Sequence, residues 1–284
     1  MKTILHTVSA FTNQGKGGNL AGVVLNATKL SRAQKQQIAK QANYSETAFV
    51  SEDLQVDFSV SFFTPTEEVD FCGHATLALF YLLLKEEEIS AGSYQFSAKA
   101  GIFSVTVTEN AEVIVQQALP KTLANFSPKT VAPLLNIQPE AFSNDLPIEV
   151  LSTGLADLIV PIPFGSLDKI KPDLALIKSF CSENNIIGLH LFELNNETDE
   201  ITASCRNFAP LVGIDEESAT GSACGALACY LNKHLKIKEF IFEQGRSMGS
   251  LSLLTAIVST KNNQIESIKV GGFAKLINSE MVTL

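Results

Sequence analysis

The sequence has five cysteines, an odd number, and no Cys-x-x-Cys pair. That argues against a disulfide scaffold and a thiol redox motif, and fits reduced thiols in a cytoplasmic protein. Basic runs are missing too. Lys and Arg number 21 against 30 Asp and Glu, so nucleic acid is not an expected partner. Membrane-length apolar runs are absent, since a bilayer-spanning helix needs about twenty residues. The opening MKTILHTVSAF lacks the sustained apolar core of a signal peptide. Gly15-Lys-Gly-Gly-Asn19 lacks the Gly-Lys-Ser/Thr ending of a phosphate loop. Gly221-Ser-Ala-Cys-Gly225 has its glycines misplaced for a hydrolase elbow. Cys72 and His74 find no second ligand pair at metal-site spacing, so neither a metal nor an organic cofactor is expected.

What the chain does contain is an internal repeat. Cys72-Gly-His-Ala-Thr-Leu-Ala-Leu-Phe-Tyr-Leu-Leu83 is echoed by Thr220-Gly-Ser-Ala-Cys-Gly-Ala-Leu-Ala-Cys-Tyr-Leu231. Gly73 coincides with Gly221, Ala75 with Ala223, Ala78 with Ala226, Leu79 with Leu227 and Leu83 with Leu231. Each copy follows a Phe-x-Pro, Phe63-Thr-Pro65 and Phe208-Ala-Pro210. Two copies so far apart mean two similar domains, not a solenoid. Residues 75–84 and 223–231 are apolar nearly all round, and such a helix is buried on every side. Each half therefore wraps sheet around a central helix. Gly73-His74 and Gly221-Ser222 then sit at helix N-termini, where backbone N–H groups and the positive dipole end suit a carboxylate or phosphate.

The rest of the chain reads as strands with a few helices. A first strand is expected at 8–11, 20–25 is a short apolar run, 44–50 is a short strand or strand entry, and Ser31 is a good N-cap for a helix over 32–42. Residues 56–62 alternate strictly, as a half-buried strand does. Two alternating segments flank Gly101, and 113–117 is a further strand. The stretch 118–128, with Pro120 and Pro128, reads as a linker. The second half repeats the order: strands at 149–153 and 157–162, a helix at 173–183, strands at 188–194 and 200–208, the second buried helix, then strands to the end. Hairpin-like spacing favours an α+β fold over a doubly wound sheet.

Few residues stand out for chemistry. Glu46 is a lone carboxylate in Tyr-Ser-Glu-Thr-Ala-Phe-Val (44–50). Carboxylates in apolar surroundings can exchange protons near neutral pH, as a general acid/base must; an exposed Glu at a strand end is the alternative. In a strand, Glu46 would share a face with Tyr44 and Ala48, leaving Ser45 and Thr47 on the other. His74, at the start of the first buried helix, is either a neutral donor or acceptor for a ligand or a helix-capping residue. Ser222, its counterpart, holds an anion or caps the second helix. Glu216 and Glu217 complement the dipole or face a polar site. Cys72 is a buried inert thiol or a base at a helix start.

Taken together, Gly-Gly-Asn (17–19), Ser-Glu-Thr-Ala-Phe-Val (45–50), Cys-Gly-His-Ala-Thr (72–76), Arg206-x-Phe-x-Pro210, Ala-Thr-Gly-Ser-Ala (219–223) and Glu-Gln-Gly (243–245) resemble the PhzF-like family. This group of phenazine-biosynthesis isomerases is related in fold to diaminopimelate epimerase. The resemblance implies two pseudo-symmetric domains, each a curved mixed or antiparallel, barrel-like sheet around a central buried helix. The active site is expected in the cleft between them, where the starts of both helices meet. The boundaries expected are 1–118, completed by a C-terminal strand near 275–284, and 119–274. The resemblance further implies cofactor-free proton transfer, with Glu46 as acid/base, His74 and Glu217 handling protons or orienting, and Gly73, Gly221, Ser222 and Asn19 binding substrate. The expected partner is a small carboxylate and the expected assembly a homodimer.

Four departures from the family pattern accompany the match. Asn19-Leu20 replaces Asn-Pro, Glu216-Glu217-Ser218 replaces Glu-Asp-Pro, and Met248-Gly-Ser250-Leu251-Ser252 replaces Met-Gly-Arg-Pro-Ser. The two opposed cysteines of epimerase relatives are reduced to Cys72, with Ser218 near the other position. The expectation is a proton-shift isomerase. A racemase or epimerase using Cys72 with Glu46, and a small-anion-binding protein with a vestigial site, are the alternatives.

Overall fold

A computed structural model describes residues 2–142, 145–196 and 199–284. The chain divides into two compact units, Met1–Gln116 with Gly271–Leu284, and Gln117–Val270. In the first, β1 (Lys2–Ala10) and β2 (Asn19–Val24) pair antiparallel, and α1 (Arg32–Ala42) crosses to β3 (Thr47–Ser51), parallel to β2. β4 (Phe58–Phe63) turns back on β3 and carries the short β5 (Glu68–Val69). Helix α2 (Gly73–Lys85) then crosses to β6 (Gly92–Ala98), parallel to β4, and β7 (Gly101–Val107) and β8 (Val113–Gln117) follow antiparallel.

The second unit repeats this series element by element. After β9 (Lys121–Phe126) and α3 (Pro128–Val131), β10 (Ile148–Ser152) and β11 (Ala156–Pro161) pair antiparallel. Helix α4 (Leu174–Asn184) crosses to β12 (Gly188–Leu194), parallel to β11. β13 (Ala203–Ala209) turns back and carries β14 (Ile214–Glu217), and α5 (Gly221–Leu235) crosses to β15 (Glu239–Gln244), parallel to β13. β16 (Ser252–Lys261) follows antiparallel, then β17 (Gln264–Gly272) leads to β18 (Ala274–Thr283). β18 pairs with β1 as β9 pairs with β10. The fold is mixed α+β and sheet-dominated. The large sheet is curved, as expected, and is not closed. None of the described helices is long and apolar enough to cross a membrane.

Both repeat helices are enclosed as their composition requires. In α2, residues 74–80, Leu82 and Leu83 are buried; in α5, Gly221 and every residue from Ala223 to Asn232 are. Each fully buried Leu or Phe contributes roughly 1.5–3 kcal/mol, so these helices dominate their cores. Helices α1 and α4 cover the other side of the strands through separate clusters, Leu5, Val24, Ile38 and Phe49 in one unit and Leu158, Leu189, Ile177 and Cys181 in the other.

Three elements differ from the sequence reading. β1 begins at Lys2, not Val8, because β18 extends the pairing along its whole length. The stretch read as a linker contains β9, whose residues are mostly exposed and whose order comes from pairing with β10. β3 starts only at Thr47, since Asn43 ends α1 in the left-handed region (φ 53°) and the chain bends through 44–45.

A buried polar row crosses the second unit. Strand register places Asp157 beside Gly188, His190 beside Asn207, and Asn207 beside Glu217. Asn207 Nδ2 lies 3.3 Å from His190 Nδ1 and also hydrogen-bonds Asp157. That leaves the His190 Nε2, fully buried, without a hydrogen-bond partner among the described residues. Burial drives the His190 pKa down to about 3, so its ring is neutral. Burial, reinforced by Glu217, pushes Asp157 up to about 7, against the Asn207 hydrogen bond.

Because the folded Asp157 pKa lies above its unfolded value, the native state holds a proton that the unfolded chain releases. Stability is therefore full below about pH 4 and is lost as pH rises toward and through 7. Asp157→Asn removes this loss. Urea melts of both proteins from pH 4 to 8 should show the variant gaining on the native protein steadily, and parallel curves would refute the assignment. Gly245 generates a second expectation. It has φ +82°, and an added Cβ would lie 2.3 Å from Ser250 O and 2.8 Å from Ser218 O, both backbone. Gly245→Ala should lower stability by more than about 1 kcal/mol in the same melts.

Candidate active site

The bend before β3 gives Glu46 its position. Its carbonyl accepts the Gly22 N–H at 3.0 Å, pinning the backbone beside β2. Its side chain then reaches the first turn of α2, with Oε2 3.4 Å from His74 Nε2. Ser45 Oγ lies 3.2 Å from the same nitrogen, and Cys72 Sγ 3.3 Å from His74 Nδ1. Ser45 and Glu46 thus converge on one ring. The expected split onto opposite strand faces fails because this segment is a bend, not strand. His74 is only 5% exposed and the Glu46 side chain 15%. Glu46 Oε2 is buried with no hydrogen-bond partner among the described residues. An unpaired buried acceptor costs about 1–3 kcal/mol, a cost functional sites commonly carry.

The helix starts add to this. Ser31, Ser127 and Asp173 cap α1, α3 and α4 with their side chains. Neither Cys72 before α2 nor Thr220 before α5 makes a side-chain cap. The two buried helices thus present first-turn N–H groups that no capping side chain covers, the arrangement that receives anions. Gly73 and Ser222 are partly exposed there, while their helical neighbours are buried. Ser222 is the second residue of α5, so the capping alternative for it is set aside.

In the second unit, the approach to α5 is held by Gln244. Its Nε2 donates to Glu217 O (2.6 Å) and Thr220 Oγ1 (3.0 Å), and its Oε1 accepts from Thr220 N (3.2 Å). Thr220 Oγ1 in turn donates to Glu217 Oε2 at 2.8 Å, orienting that carboxylate at the end of β14. Glu216 points elsewhere. Arg206 holds it with two bonds, 2.8 and 2.9 Å, while also donating to the carbonyls of Leu167 and Ile170. Arg206 and Glu216 are thus a structural pair. Asn19 opens β2 opposite Ala10.

Within the first unit the structure brings together Glu46, His74 and Cys72; within the second, Glu217 lies beside the start of α5 at Gly221 and Ser222. Sequence reasoning missed Ser45, Gln244 and the row of Asp157, His190 and Asn207. Asp157 and His190 each carry a signal close to the one that singled out Glu46, a lone ionisable residue in a stretch otherwise free of charge: Ala-Asp-Leu-Ile-Val-Pro (156–161) and Gly-Leu-His-Leu-Phe (188–192).

Residues 8–279 match the family described as phenazine biosynthesis-like protein, PhzC-PhzF. The chain is 31% identical to the uncharacterized isomerase YddE of Escherichia coli K12 over 98% of its own length and 97% of that protein's. The crystal structure of a PhzF-family phenazine biosynthesis protein from Bacillus anthracis superposes with TM-score 0.90 at 26% identity, covering all of both chains. A hydroxyproline epimerase from Agrobacterium vitis shares the fold alone, with TM-score 0.66 at 10% identity over 99% of this chain and 91% of that one. This chain belongs to the PhzC-PhzF family of phenazine biosynthesis-like proteins and is an isomerase.

Proposed function

We propose that the isomerisation is a cofactor-independent proton shift at carbon on a small carboxylate-bearing substrate, with Glu46 as the general acid/base. The observation that carries this reading is the buried Glu46 Oε2, which lacks a hydrogen-bond partner among the described residues and lies 3.4 Å from His74 Nε2. Such an oxygen can take a proton from carbon without first breaking a protein hydrogen bond. His74, held between Cys72 and Ser45, orients that carboxylate and supplies or receives a hydrogen bond as its charge changes. In the first unit the uncapped N–H groups at Gly73 suit a substrate carboxylate, and in the second those at Gly221 with Ser222 form an anion-receiving helix start of their own. Glu217, fixed by Thr220, is a second proton-handling group, and Asn19 lines the substrate from β2. In assembly, we place the chain as a homodimer.

A second reading rests on Cys72. Its Sγ lies 3.3 Å from His74 Nδ1, close enough for the imidazole to take the thiol proton. Cys72 and Glu46 would then act on a stereocentre as a racemase or epimerase.

A screen of small carboxylates for thermal stabilisation finds the substrate, since a ligand at 100 times its Kd adds about 2.7 kcal/mol. Turned over in D2O by the native protein, that substrate should gain deuterium at carbon. Glu46→Gln should bind the same carboxylates but lose turnover by roughly 100- to 10,000-fold. Cys72→Ala should cost far less. Racemised product, with Cys72→Ala dead and Glu46→Gln near native, would replace the isomerase reading with the epimerase one.

A further inference from the structure

Among the described residues one group gathers three metal-ligating side chains: Glu46, Cys72 and His74, whose donor atoms all lie within 4.8 Å of one another. Sequence spacing offered Cys72 and His74 without a further ligand; the bend before β3 supplies the third from a distant segment. We propose that these residues form a three-donor site for a borderline-soft divalent cation such as Zn2+, and that an ion bound there withdraws Glu46 from proton transfer. The second half of this proposal rests on the role assigned to Glu46 above.

The chemistry of the donors selects the ion. Thiolate, imidazole and carboxylate together are a zinc set, and three protein ligands leave one position open. Tetrahedral zinc, with bonds of about 2.0–2.3 Å, holds neighbouring donors roughly 3.3–3.6 Å apart. Cys72 Sγ and His74 Nδ1 already stand at 3.3 Å. With the ion on Nδ1, the proton of the ring sits on Nε2, where Ser45 Oγ at 3.2 Å accepts it. Holding the second ring nitrogen of a ligating His in this way is the usual support for such a ligand. Glu46 Oε2 has no hydrogen bond to give up among the described residues, and a turn of its side chain from the Nε2 side toward Cys72 Sγ and His74 Nδ1, whose donors already lie within 4.8 Å, closes the set. Binding Zn2+ displaces the thiol proton to solvent and leaves both carboxylate and thiolate neutralised by the ion. An oxygen engaged in this way no longer takes a proton from carbon.

The remaining cysteines make the test selective. Cys181, Cys205, Cys224 and Cys229 are all buried, and burial pushes each thiol upward, to about 12 for Cys181 and Cys229. None of them belongs to a group of three metal-ligating side chains among the described residues.

Reduced native protein titrated with Co2+ should develop a near-ultraviolet thiolate-to-cobalt band, saturating at one equivalent, with the visible bands of a four-coordinate ion, and Zn2+ should abolish both. Cys72→Ser should lose the thiolate band and weaken Zn2+ by at least the tenfold typical of even outer-shell changes. Glu46→Gln should keep the band and weaken Zn2+ by a similar factor. No band in the native protein, or a band that survives Cys72→Ser, overturns the site. A Glu46→Gln affinity equal to native overturns the withdrawal of Glu46. The acid/base reading stands or falls separately, on deuterium uptake by metal-free protein, so its failure and that of the metal site are read apart.

Discussion

A helix with no polar face has to be enclosed by its own domain, and only its ends remain to meet anything else. That constraint organises both units. Strand, crossover helix, parallel strand and return strand build the wall, and α2 and α5 fill what it surrounds. The side chains that would cap an ordinary helix are withheld from these two starts. The same burial that stabilises the core thus leaves polar backbone at its most electropositive point facing outward.

Legibility in the sequence follows the range of the interaction. Local rules read well: Ser31 forms the capping box expected of it, with Gln34 returning the bond to the Ser31 backbone. The apolar repeat helices, the alternating β4 and the crossover α4 were all visible as patterns. Glu46 was legible as a lone carboxylate and His74 by its place at the start of a buried helix. What failed depended on pairing between distant segments. β9 has a loop-like surface and is a strand because of β10. The convergence of Ser45 and Glu46 on His74 needed a bend that no periodicity announces. The row from Asp157 to Glu217 exists only once four strands take their register.

That row also shows where this chain spends stability. A neutral His whose N–H has no partner among the described residues, an amide divided between two acceptors and a carboxyl that burial pushes up to about 7 could all be replaced by aliphatic residues of similar volume. Buried polar groups of this kind usually cost more than they return in folding, and proteins retain them where local consistency yields to function. Their position behind Glu217, rather than beside the outer cluster around α4, ties that cost to the α5 side of the strands.

The pairing of Lys2 with Thr283 and of Ala10 with Ala274 has a consequence for how the protein is made. The first unit is interrupted in sequence, and its opening strand waits for the last strand to be synthesised. The second unit, Gln117–Val270, is continuous, so its strands emerge in order and none of them waits for a segment from elsewhere in the chain. Domains fold as they emerge, and contacts spanning nearly the whole chain form late. The half that is translated first is therefore the half completed last, and β1 spends the interval as an unpaired edge in need of its partner.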